Sequence, residues 1–168
     1  MIDLAFQSTL TADYREALER LMFFNRRQRE AETAVTRAVD MFGSPTIVSE
    51  PYGVRVAVGA CPDVQCLFAI ERGRRSDALA GMVIYLRTSF EEVLVLHIAV
   101  ADRYGRKGLE VVAALVRTVR AAAGRMRGVE RVTLLDLQGR ELRIIIRAVG
   151  SQSNREPRSA SPQERLRA

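Results

Sequence analysis

The chain has 168 residues, a net charge of +6 and a sequence pI of about 10.1. Its hydrophobic fraction of 48% and charged fraction of 27% are those of one ordinary globular domain, which excludes fibrous and wholly disordered classes. No apolar run approaches the roughly 20 residues of a membrane-spanning helix.

Every basic residue except Lys107 is arginine, a bias spread over the whole chain rather than gathered at one place. The positive charge is compatible with nucleic acid, an anionic cofactor or an acidic partner, and selects none of them. The opening stretch (MIDLAFQSTLTADYREALERL) carries acids early and no cationic leader, so it reads as part of the domain and points to the cytoplasm. Cys61 and Cys66 flank a turn (CPDVQC). They read as small residues of neighbouring strands, with a local redox pair as the alternative; a metal site would need more ligands, and His97 is the chain's single histidine.

In chain order, residues 1 to 8 predict a short strand. Thr11 is placed as a helix cap, with Asp13 and Glu16 in the first turns. Tyr14, Ala17, Leu18, Leu21 and Met22 recur at helical spacing. The polar run from Asn25 to Glu30 breaks this helix, and a second follows with Ala31, Val35, Ala38, Val39 and Phe42 on one face. Gly43, Ser44 and Pro45 end it. Strands are then expected over residues 46 to 49, 54 to 60, 65 to 71, 78 to 87 and 91 to 100, with short turns between them. That pattern predicts an antiparallel meander. The last of these strands is apolar on both faces, so it belongs in the middle of a covered sheet.

Beyond it the period changes. Residues 101 to 107 form a loop, and residues 108 to 126 a long helix with Leu109, Val112, Ala113, Val116, Val119 and Ala123 on its apolar face. A strand over 129 to 137 makes a parallel pair with the strand before the helix. Gln138-Gly139 then turns the chain into residues 141 to 149, rich in β-branched side chains, expected as a hairpin strand with a short helix as the alternative. Residues 1 to 150 form one domain on this reading. Residues 151 to 168 are polar and basic with two prolines, and read as a disordered tail, or alternatively as a nucleic-acid-binding arm.

Residues 98 to 110 (IAVADRYGRKGLE) resemble the acyl-CoA-binding motif of the GNAT superfamily of N-acetyltransferases. In that motif a central strand of the form LAVHPDY runs into a loop of the form RGKGIG. Ala99-Val100, Tyr104 and Lys107-Gly108 match without a gap, and the order of elements over residues 1 to 137 agrees. The resemblance implies a mixed α/β (α+β) fold with a mostly antiparallel central sheet, two N-terminal helices and one long crossover helix after the central strand. It also implies acetyl-CoA as co-substrate and an amine acceptor. Ile98 and Val100 would lend main-chain groups to the pantetheine arm, and Gly105, Arg106, Lys107, Gly108 and Leu109 would form the phosphate seat.

The physics of such a seat is independent of the family. A loop turning into a helix presents unpaired N–H groups and the positive end of the helix dipole, which together hold a pyrophosphate. Glycines allow close approach, and Arg106 and Lys107 add charge-assisted contacts. The chain departs from the pattern in three places. Gly105 stands where the family has Arg or Gln, Glu110 stands where it has a small residue, and no tyrosine follows Tyr104 to act on the leaving thiolate.

The candidates for catalysis are Glu92, at the start of the central strand, and His97 within it. A solvated strand-end acid and a hydrogen-bonded core histidine are the bland alternatives. No metal is called for. Three functions are compatible with these residues: an acyl-CoA-dependent N-acyltransferase, the same fold as a catalytically degenerate regulatory or interaction module, and a basic nucleic-acid-binding protein. The third lacks aromatic interleaving and any helix-turn-helix pattern. Acyl-CoA and an amine are the expected partners, no membrane is, and a homodimer is left open.

Overall fold

The computed structural model describes residues 2 to 146, apart from 27, 28, 60, 75 and 137. The expected strand at 147 to 149 and the tail from 151 lie outside the described residues.

The chain begins with β1 (Leu4–Gln7) and a 3-10 turn at Ala12–Tyr14 that leads into α1 (Arg15–Phe23). The second helix, α2 (Glu32–Phe42), ends at Gly43, whose φ of 91° suits glycine. Five strands come next in two groups: β2 (Pro45–Glu50) and β3 (Gly53–Val58), then β4 (Gln65–Glu71), β5 (Ala78–Arg87) and β6 (Glu92–Val100). A 3-10 segment at Asp102–Lys107 leads into α3 (Gly108–Ala123), and β7 (Arg131–Leu135) and β8 (Glu141–Ile145) complete the described chain.

The main sheet has the order β1-β4-β5-β6-β7-β8. Every neighbouring pair in it is antiparallel except β6 and β7, which are parallel across the α3 crossover. This is the mixed, mostly antiparallel sheet expected, with two helices between β1 and the other strands and one long helix after the central strand. The expected single meander needs one correction. β2 and β3 form a two-stranded sheet of their own, joined to the rest by the bridge between Leu10 and Val54 and by burial of Val54, Val56 and Val58. Their register leaves β4 free to pair with β1.

Apolar packing covers both faces of β6, as its two-sided hydrophobicity predicts. On one face Leu18, Leu21 and Met22 of α1 meet Phe68, Met82, Ile84 and Leu96. On the other, α3 lies across Val83, Val93, Val95 and Val100. The face that α3 presents is a second correction. Gly108, Val111, Leu115, Val119 and Ala123 are buried, whereas Leu109 is 74% exposed and Ala113 is also exposed. Valines and alanines fill most of the helix, so hydrophobicity alone left its rotation under-determined. The stripe that touches β5 is set by Gly81, which lets α3 approach closely.

Candidate functional site

The centre of the molecule is a break in β6. Tyr85 is registered with Val95 and Ile84 with His97, so Leu96 is an extra residue, a β-bulge. Parallel pairing with β7 stops at the same point, since its last registered pair is Val95 with Leu134. Among the described residues, no strand is registered against Leu96 to Val100 on that edge.

Hydrogen-bonded pairs alternate along an antiparallel ladder. The Ala101 N–H donates to the Ala80 carbonyl at 2.9 Å, which places Ala99 on the β5 side of the ladder as well. Ile98 and Val100 therefore direct their main-chain groups toward the gap left by β7. One of these groups is already engaged. The Val100 carbonyl accepts from Asn25 Nδ2 at 2.7 Å, and Asn25 is itself buried. A carbonyl has a second lone pair, so this contact shares the edge rather than closing it.

The loop after β6 is held by side chains. Tyr104 is buried, and its hydroxyl donates to Glu71 Oε2 at 2.6 Å while accepting from Arg103 Nη2 at 2.8 Å. Arg103 also donates to the Leu79 carbonyl and lies over the Tyr104 ring, 4.8 Å from its centroid. Burial, and then the Glu71 carboxylate, push the Tyr104 phenol upward, so it stays a donor. Tyr104→Phe is expected to destabilise the fold by about 1.5 kcal/mol, because it leaves the Glu71 carboxylate without its hydroxyl partner. An unchanged urea midpoint would show that ring packing alone holds the loop.

Gly105 has φ 46° and ψ −125°, a conformation that L side chains rarely adopt. A side-chain carbon there would meet nothing within 4 Å, so the backbone and not crowding calls for glycine. The chain then enters α3 at Gly108, whose N–H donates to the Gly105 carbonyl, and no side-chain cap covers the first turn at the positive end of the helix dipole. Arg106, Lys107, Leu109 and Glu110 are all exposed around this start.

The two catalytic candidates are not brought together. Glu92 opens β6, a strand's length of about 25 Å from Val100. Its carboxylate accepts from Thr133 Oγ1 at 2.6 Å and Arg131 Nε at 3.2 Å. The threonine first, and then the arginine, hold its carboxyl below the usual range, and its visible work is to fasten β6 to β7. His97 stands at the bulge. The residue is partly buried, and its Nε2 is sealed from solvent and meets no hydrogen-bond partner among the described residues. Burial pushes the imidazole down to about 4.

The structure thus gathers Ile98, Val100, Gly105, Arg106, Lys107, Gly108 and Leu109 along one strand end, loop and helix start, with His97 just upstream. Asn25, Glu71 and Arg103 were not singled out from sequence. The polar break after α1 was legible, yet nothing in it marked Asn25 as the buried member. Among the described residues, no cluster of three or more His, Cys, Asp or Glu could hold a metal, and no helix is long and apolar enough to cross a membrane. Both cysteines are free, and Cys66 is buried with its thiol pushed up to about 12.

No protein-family model matches this sequence, and none of the curated proteins matches it at a significant level. Among solved structures, it is similar to a protein of Desulfovibrio desulfuricans assigned as a GNAT-family acetyltransferase. The TM-score is 0.44 at 19% identity, covering 79% of this chain and 72% of that one. It is also similar to an acetyltransferase from Streptococcus agalactiae 2603, with a TM-score of 0.37 at 11% identity, covering 78% of this chain and 71% of that one.

Proposed function

We propose that this chain is an acyl-CoA-dependent N-acyltransferase, with acetyl-CoA as the reference co-substrate and an amine as acceptor. The observation that carries the reading is the edge of β6 at Ile98 and Val100, which has no strand partner among the described residues and runs straight into a glycine loop and a helix start without a side-chain cap. An extended arm bearing amides can add to such an edge as a strand would. The pyrophosphate at its far end would fall where the α3 N–H groups, Arg106 and Lys107 converge.

In this reading the acyl carbon lies beside the bulge. The amine nitrogen attacks the thioester carbonyl carbon, the carbon–sulfur bond breaks, and the CoA thiolate leaves. The nitrogen's proton passes to water at the mouth of the site. Positioning and polarisation of the carbonyl by the β6 main chain supply most of the rate enhancement. Glu92 fits a structural role better than that of base, because it is bound at the far end of the strand.

A second reading is favoured by one specific contact. Asn25 already occupies the Val100 carbonyl, and together with Glu110 this suits a non-catalytic module of the same fold. Calorimetric titration with acetyl-CoA separates the readings. The acyltransferase reading expects micromolar binding at moderate salt together with turnover on an amine panel. Binding without turnover selects the module, and no binding sinks the acyl-CoA reading. Glu110→Gln is expected to tighten acetyl-CoA severalfold at low salt, with the gain shrinking as salt screens it. Equal affinity for variant and parent would show that Glu110 points away from the phosphates.

A further inference from the structure

A cavity of about 290 Å³ opens on the sheet face that carries α1 and α2. Its floor is Ile84 of β5 with Leu96 and His97 of β6, and Val35, Ala38 and Val39 of α2 cover it. Two successive β6 residues reach the same cavity because the bulge at Leu96 interrupts the strand's alternation. Apart from His97 and Ser44 the lining is apolar.

His97 lines this cavity, but its Nε2 is sealed from solvent, so a ligand there packs against the residue without reaching that nitrogen. A pantetheine arm laid along Val100 and then Ile98, away from the α3 phosphate seat, ends at the bulge. The next group along such a molecule is its thioester carbonyl, and the acyl chain extends beyond that carbonyl.

We propose that this cavity receives the acyl chain of a medium-length acyl thioester, whose carbonyl lies at the bulge. The inference rests on the acyl-CoA reading of the same site. At about 30 Å³ for a water-sized group, the volume accommodates a chain of roughly six carbons with room to spare. An acetyl group would leave most of it empty. His97 is here part of the cavity wall, and burial keeps it uncharged at neutral pH, as suits an apolar lining.

The test is calorimetric titration of the full chain with CoA, acetyl-CoA, butanoyl-CoA and hexanoyl-CoA, with the imidazole resonances followed by NMR. Because the chain has one histidine, those resonances report on His97 alone. Affinity is expected to rise about fourfold per added methylene from acetyl to hexanoyl. The imidazole signals are expected to move with hexanoyl-CoA and to stay in place with CoA. Val35→Phe, at the partly exposed rim of the cavity, is expected to flatten the series. The series on the unaltered chain decides the matter even where that variant does not fold. An affinity independent of acyl length, with CoA itself bound, overturns the acyl-chain assignment and leaves the acyl-CoA reading standing. Absence of binding for all four molecules overturns both.

Discussion

Gly81→Ala is expected to destabilise the protein by about 3 kcal/mol, at the upper end of what one added methyl costs in a packed core. Gly81 lies on β5, directly under α3 and in register with Val100. A side-chain carbon there would come within 2.7 Å of the Ala99 carbonyl oxygen, 3.1 Å of Val111 Cγ1 and 3.3 Å of Leu115 Cδ1. The first contact is backbone, which cannot swing aside. The other two belong to side chains buried completely. Relief therefore requires α3 to lift or β6 to shift. In a chain of this size the loss corresponds to a melting temperature lower by roughly 10 °C. Both movements disturb the strand end and helix start that form the candidate phosphate seat, so acyl-CoA affinity is expected to fall as well. Gly105 offers a contrast, since its surroundings are open and only its φ resists substitution. An unaltered melting temperature in Gly81→Ala would mean that α3 rides higher over β5 than these distances require.

The second large effect is on pH dependence. The His97 imidazole is held near 4 in the folded chain, against roughly 6.5 when unfolded. The sign depends on which state binds the proton. Above about 6.5 neither does, and the full stability is present. Between 6.5 and 4 only the unfolded chain is protonated, so stability falls with falling pH by about 3 kcal/mol in all. Carboxylates act in a separate window. Glu92 and Asp136 have lowered folded values, so their contribution is present above their ordinary carboxyl range and is lost only as pH drops through it. The interval between about 5 and 6.5 therefore belongs to His97, and the cavity that it lines contains no other ionisable side chain among the described residues. Urea unfolding of the parent chain and of His97→Met over this interval is the measurement. The slope is expected to vanish in the variant. At neutral pH the variant is expected to equal or exceed the parent in stability, since it removes a buried polar atom that has no partner. A slope that persists in His97→Met would place the responsible group elsewhere.

Much of the architecture was legible because period and punctuation agreed. Residues 65 to 71 and 78 to 87 became β4 and β5 with the expected bounds. The strand at 91 to 100 and the helix opening at 108 were each located to within a residue. The β2–β3 hairpin was read as strands but joined to the wrong sheet, because alternation reports pairing without naming the partner. The buried stripe of α3 was rotated for a related reason. With apolar residues all round, the contact face is chosen by the shape of β5, and that information sits at Gly81, far upstream of the helix in sequence.

At the site, the loop and strand end were legible through a resemblance, whereas the device that opens the strand was not. A bulge is a mismatch between two strands, and Leu96 looks like any other apolar residue until Ile84 and Tyr85 are placed beside it. Asn25 was hidden likewise, since a buried amide and an exposed one spell the same.

A strand edge left without a partner is ordinarily a template on which other chains can assemble. The opening along β6 invites that hazard in the middle of the sheet, where it would do the most damage. Its geometry also contains the remedy. The slot is closed at one end by the Val95–Leu134 pairing and narrowed at the other by the Asn25 contact, so among the described residues the stretch without a strand partner is Leu96 to Val100 alone. With α3 on one face and α1 on the other, a foreign strand arriving with its own side chains and neighbours has nowhere to place them. A single narrow arm fits where a sheet does not, and the protein can keep a strand edge that no described strand pairs with at its centre without becoming a seed for its own aggregation.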